Sequence, residues 1–174
     1  MVRHRVLVPA CVGSNPTSRA TYKTDTLKII HQNKKAVFDY EILDEYKAGI
    51  MLLGAEIKSI RQGHVNLKGS YVSVQNGRAF LKGAHISRYP FDSNTDYDPF
   101  RDRELLLNKS ELHKITNHLN TQGVTIVPLA IGLEGKYAKV KIAVARGKKK
   151  HDKRETIRKR ETKRQIDRAM KRHI

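Results

Sequence analysis

VTIVPLAIGLEGKYAKVKIAVARG, residues 124–147, reads as two strands folded about Glu134-Gly135. Val140, Ile142 and Val144 alternate with Lys139, Lys141 and Ala143, the period-2 pattern of a half-buried strand. Upstream, SYVSVQ and RAFLKGAHI flank Asn76-Gly77, the dipeptide favoured where a type I′ hairpin demands two positive φ angles. AVFDYEILDEYKAGIML, residues 36–52, mixes aromatic and β-branched residues and is predicted to be strand, with Gly49 and Gly54 as bends or bulges. Two helices are predicted between these runs. GAEIKSIRQG sets Ile57 and Ile60 three apart, with Gly63 as a stop. NKSELHKITNHLNTQG offers Asn108 or Ser110 as cap, Leu112, Ile115 and Leu119 on one stripe, and Gly123 after the last turn. Five or six short strands with two helices predict a mainly β fold: a small closed antiparallel barrel of the oligonucleotide-binding (OB) type, with flanking helices and a basic C-terminal tail.

A chain of 174 residues suits one core plus extensions. The expected organisation is a disordered leader over 1–32, the barrel over 33–146 and the tail over 147–174. The leader has turn formers and no periodicity. Its Gly13-Ser14-Asn15-Pro16 can be encoded as GGT-TCG-AAT-CCC, the T-arm sequence common in transfer RNA genes, which suggests a start assigned too early and a true start near Leu27. No run approaches the ~18 apolar residues of a spanning helix, so a cytoplasmic protein with no membrane partner is expected. The single Cys11 excludes an internal disulfide or thiolate zinc cluster, and the eight His show no ligand spacing. No metal, cofactor or catalytic residue is expected.

The formal charge is +18. A chain this basic normally meets a polyanion. From Arg146 onward the balance is +10, with fourteen Lys/Arg against four Asp/Glu. Glu155/Lys159 and Asp167/Lys171 fall at i,i+4, and Ile166, Ala169, Met170 and His173 make only a thin apolar stripe. A charge run of this kind is usually a solvated, fraying helix. Here its scale favours nucleic acid, since each phosphate neutralised adds roughly 0.7–0.9 to the salt slope of binding. A membrane-surface helix needs bulky anchors, and the tail has no Trp, Phe or Leu.

GKKKHDKRETI in the tail resembles the signature of the SmpB family, the SsrA-binding proteins that partner transfer-messenger RNA in bacterial ribosome rescue. The likeness continues through NKKAVFDYEILDEYKAGIMLLGAEIKSIRQGHVNLKGSYV, FLKGAHISRY, DPFRDRELLLNKSEL and VPLAIGLEGKYAKVKIAVARGKK, in one register from Asn33 to the end, about four-fifths of the chain. The resemblance implies an OB-like barrel that binds the tRNA-like domain of transfer-messenger RNA. It also implies entry into a stalled ribosome with elongation factor Tu and GTP, the tail becoming helical in the empty messenger channel against small-subunit ribosomal RNA. Elongation factor Tu and alanyl-tRNA synthetase would be partners only indirectly, through the RNA.

By the same resemblance Asn33, Lys34 and Lys35, with Glu56, Lys58, Arg61 and Asn66, are candidates for the face toward the tRNA-like domain. Glu56 and Asn66 have an equally good reading as residues that cap or order the barrel. Gly147, Lys148, Lys149, His151, Asp152, Lys153 and Arg154 match the decoding-centre motif, where His151 can stack on an exposed base and its cationic neighbours can hold phosphates. Ile157, Ala169 and Met170 would touch the channel once the tail is helical. Two positions depart from the family pattern: Lys47 stands where an acid is common, and Phe38 where His is frequent.

Other signals are weaker. DSNTDYD from Asp92 mimics an EF-hand opening with Asp92, Asn94, Asp96 and Asp98, but Tyr97 replaces the turn glycine and Arg103 the bidentate glutamate. Arg88, Arg101 and Arg103 nearby predict a solvated, charge-paired loop instead. His113 and His118 are five apart and share no helix face. Two other functions fit the composition: a structural ribosomal protein with a basic extension, and a metal-dependent ribonuclease that a chelator would silence.

Overall fold

The structure, a computed structural model, describes residues 27–92, 96–149, 161, 162, 165 and 170. Along the chain come β1 (Lys28–Gln32), α1 (Lys34–Asp39), β2 (Tyr40–Ile50), α2 (Gly54–Arg61), β3 (Val65–Asn66), β4 (Tyr71–Gln75), β5 (Arg78–Lys82), β6 (His85–Ile86), β7 (Arg103–Leu106), α3 (Lys109–Leu119), β8 (Val124–Glu134) and β9 (Tyr137–Gly147). All strand pairs are antiparallel. The main sheet runs β1-β8-β4-β5-β7-β2-β9, and β8 also pairs β9 along their length. Six strands therefore form a ring that closes on itself, with β1 added outside on β8. β3 and β6 form a separate two-stranded sheet.

Closure follows from the sequence periods. Val140, Ile142 and Val144 of β9 point into the ring with no exposure, and Ile126, Ile131, Leu81 and Val72 meet them from other strands. Ile115 of α3 is fully buried against this core, with Leu112 and Leu119 packed beside it, as the predicted stripe requires. Asn76 and Gly77 take φ of 49° and 70°, both positive, and hold β4 to β5 in the expected hairpin.

β9 is covered on its other side too. Ala143 and Ala145 pack with Ala36, Val127 and Leu129 in a second, smaller cluster under α1. This explains one departure from expectation: residues 36–39 are helix, and the strand begins only at Tyr40. Asn33 starts the turn, its Oδ1 accepting the Ala36 N–H at 3.1 Å, and Ala36 is small enough to seat on β8 and β9.

Order also begins earlier than Asn33, because β1 pairs the edge of β8 from Lys28. The reason lies a hundred residues away in sequence, at Gly132. A Cβ there would stand 2.4 Å from the Lys28 carbonyl oxygen, so only glycine lets the two backbones approach. Residues 1–26 of the expected leader lie outside the described residues. RAFLKGAHI divides at Gly83 into β5 and β6, which belong to different sheets.

Candidate nucleic-acid interface

Asn33 is 6% exposed, and its side chain is spent inside the fold. Besides capping α1, its Nδ2 donates to the Leu67 carbonyl at 2.9 Å and to the Pro128 carbonyl at 3.1 Å. Its own N–H donates to Leu129 O at 2.7 Å. Pro128 lacks a ladder donor, and the β8–β9 register shifts between Pro128 and Ala130. At that bulge Asn33 finds two of its acceptors, the Pro128 and Leu129 carbonyls. One buried amide thus ties α1, the turn after β3 and strand β8 together. Lys34 and Lys35, the next two residues, are exposed as a result.

Glu56 is likewise interior, 1% exposed, and Arg103 beside it is wholly buried. The Glu56 carboxylate accepts from Leu53 N–H at 2.8 Å, which caps the start of α2, and from Arg103 Nε at 2.9 Å. Arg101 adds Nε at 2.8 Å and a second, closer bond from Nη2. Arg103 donates onward to the carbonyls of Ala84, Pro99 and Arg101 and to the Tyr97 hydroxyl, which itself donates to Ile86 O at 2.9 Å. Burial works against the charged carboxyl. The Arg101 bond, the Leu53 amide and the two guanidinium charges outweigh it, and hold Glu56 below the usual carboxylate range. Arg101 and Arg103 therefore serve α2, whereas Arg88 donates to the Asp92 carbonyl of its own loop at 2.7 Å.

The remaining candidates on this part of the chain face solvent. Lys58 is exposed and lies 5.3 Å from the centre of the Tyr89 ring, and Arg61, also exposed, reaches the Lys136 carbonyl at 3.5 Å. Asn66 is exposed, its Oδ1 accepting the Lys68 N–H at 2.9 Å. The structure thus splits the seven residues: Lys34, Lys35, Lys58, Arg61 and Asn66 can be reached from solution, while Asn33 and Glu56 set the geometry beneath them. Lys47 is absorbed by a surface network in which Glu134 accepts from it at 3.1 Å and lies 3.5 Å from Lys139.

The tail leaves the ring at Gly147, paired opposite Tyr40. Lys148 then folds back on α1, its N–H donating to Asp39 O at 3.0 Å and its Nζ to Val37 O at 3.3 Å. Gly147 and Lys149 are exposed. His151, Asp152, Lys153, Arg154, Ile157 and Ala169 lie outside the described residues. Residues 161, 162, 165 and 170 are helical, and Met170 is 58% exposed. The first two residues of the tail are thus oriented by the same short helix that displays Lys34 and Lys35.

Comparison with known proteins extends this geometry. The sequence model described as SmpB protein matches residues 30–172. The chain belongs to the SmpB family. An SsrA-binding protein of Geobacillus kaustophilus is 48% identical over 144 residues, 83% of this chain and 93% of the relative. That of Thermosynechococcus vestitus is 45% identical over 150 residues, 84% and 97% of the two chains. A solved chain described as "tmRNA-SmpB: a journey to the center of the bacterial ribosome" is 41% identical, covers 74% of this chain and 94% of its own, and superposes with a TM-score of 0.59. The family match spans the ring, the tail root and nearly all of the tail.

Proposed function

We propose that this chain is a non-enzymatic, cytoplasmic RNA-binding adaptor that carries transfer-messenger RNA into stalled ribosomes for peptide tagging and release. The ring is read as an OB-like barrel whose face at α1 and α2 binds the tRNA-like domain. The basic tail over 147–174 lies as a helix in the empty messenger channel beyond the decoding centre. Elongation factor Tu and alanyl-tRNA synthetase act on the same complex through the RNA.

The observation that carries this reading is one unbroken match to SmpB proteins over residues 30–172, with exposed cations on both helices that flank Asn33 and Glu56. Relatives of 45–48% identity are named for binding SsrA RNA, and the solved relative is described with tmRNA and the ribosome. No helix among the described residues is long and apolar enough to cross a membrane.

Competition decides between this and a general polycation. The full chain is expected to hold the tRNA-like domain against excess bulk tRNA at physiological salt and to leave ribosomes that are not stalled. Equal displacement by bulk tRNA, or stable cosedimentation with every ribosome, contradicts it.

A further inference from the structure

The network around Asn33 frames a cleft to which, of the candidate residues above, only Asn33 and Lys35 contribute. It has a volume of about 600 Å³, inside the ~300–1,000 Å³ typical of ligand clefts. Its floor is apolar and buried, made by Ala36 and Val127 of the second cluster. Tyr40 and Tyr71 supply aromatic walls on β2 and β4, and Lys35 and Lys68 supply cations from α1 and from the turn before β4. Thr125 and Asp39 add a hydroxyl and a carboxylate to the lining, Asp39 being the one acid in it.

The walls are fixed rather than incidental. The Leu67 carbonyl accepts three donors, Asn33 Nδ2 at 2.9 Å, Ser70 N–H at 3.2 Å and Ser70 Oγ at 2.6 Å, which pins the turn that carries Lys68. Tyr40 packs on the second cluster, whereas Tyr71 is 49% exposed and paired opposite Lys82. A pocket with an apolar floor, two tyrosine rings and two ammonium groups in its lining matches one chemical unit: a base with its flanking phosphates.

We infer that this cleft receives a single unstacked nucleotide of RNA, its base against Tyr71 and its phosphates on Lys35 and Lys68. Aromatic stacking suits any base, and the lysines recognise backbone rather than sequence. The Thr125 hydroxyl can donate to a ribose 2′-OH, the group that separates RNA from DNA, and the Asp39 carboxylate can accept from it. The cleft adjoins the tail root, because Tyr40 lies opposite Gly147 and Asp39 accepts from Lys148. The nucleotide is therefore bound where the tail departs. This deepens the RNA-binding reading and rests on it.

The test uses the full chain with two RNA sources, the isolated tRNA-like domain and vacant small ribosomal subunits, and compares wild type with Tyr71→Ala, Tyr71→Phe and Lys68→Ala. Stacking on one base predicts that Y71A weakens binding about 5- to 100-fold in one arm, while Y71F stays close to wild type. Lys68→Ala is expected to reduce the salt slope by roughly 0.7–0.9 in the same arm. The arm that responds identifies the source of the nucleotide. Unchanged binding of Y71A in both arms overturns the inference, as does an equal fall for Y71F. Should Y71A lower the urea midpoint, Lys68→Ala decides alone: a lost slope supports the site and an unchanged slope overturns it. Wild-type competition by bulk tRNA is read separately, so failure of the adaptor reading is distinguishable from failure of the cleft.

Discussion

Glu56 and Glu134 each gather two cations, yet they belong to different parts of the problem. Glu56 meets Arg101 and Arg103 under cover of β6, α2 and the 97–101 segment, with Arg103 wholly buried. Glu134 meets Lys47 and Lys139 on the outer face of β2 and β9, where Lys47 is exposed and Lys139 half-buried. Buried, an unpaired ion is costly, so the Glu56 group dictates where three segments sit. On the surface, water and salt screen the pair, and Glu134 dictates little. The same division runs through the candidate interface: Asn33 and Glu56 build it, and Lys34, Lys35, Lys58, Arg61 and Lys68 present charge from it.

The sharpest way to break this contrast is Arg103→Ala. It leaves Glu56 buried with one of its two guanidinium partners and is expected to cost about 3–5 kcal/mol in urea unfolding. A loss under 1 kcal/mol would show that the cluster does not organise the fold. Asn33→Ala comes next, at roughly 1–3 kcal/mol, since it removes a helix cap and leaves the Leu67 and Pro128 carbonyls without that donor. RNA affinity should fall with it, through displacement of α1.

Acid sharpens the comparison further. The Glu56 carboxyl lies below its unfolded value, ~4.3, when folded, so its contribution is complete above that value and is lost as pH falls through the folded one. Wild type should therefore lose stability steeply at the acid end, and Glu56→Gln should flatten that limb of a denaturation series. An unchanged limb would place the acid sensitivity elsewhere.

Lys34→Ala and Lys35→Ala are expected to leave the urea midpoint within about 0.5 kcal/mol, while each lowers the salt slope for the tRNA-like domain by roughly 0.7–0.9. The smallest effect belongs to Lys47→Ala, which should leave both the midpoint and RNA binding unchanged. A marked loss of RNA affinity there would move the interface onto the β2–β9 face.

These contrasts mark what was legible in the sequence. The Asn76-Gly77 hairpin, the α3 stripe, α2 and the β8–β9 pair are written in local periods and turn chemistry, and they stand where expected. Helix α1 is not local: residues 36–39 have strand-like composition, and it is Asn33's three bonds and the seat for Ala36 that bend them into a turn. β1 owes its place to Gly132, and Glu56 meets Arg103 across 47 residues. The family likeness pointed to Asn33 and Glu56 as interface residues but could not tell positioning from contact, because burial is a property of the assembled ring. Tyr71 and Lys68 lie within the stretch NKKAVFDYEILDEYKAGIMLLGAEIKSIRQGHVNLKGSYV that carries the family likeness, but nothing in the sequence set them apart as a site; the cleft exists only where α1, the turn before β4 and β8 meet.

The central claim is that the folded ring selects the RNA and the tail serves the ribosome. Its most direct test compares the full chain with a chain ending at Lys149, which keeps the Lys148 bonds to α1. Both are titrated with the tRNA-like domain across a salt series, with bulk tRNA as competitor. The account predicts that both bind selectively, the shorter one with a smaller salt slope. Loss of all selective affinity on truncation would contradict it and leave the tail as the RNA-binding element.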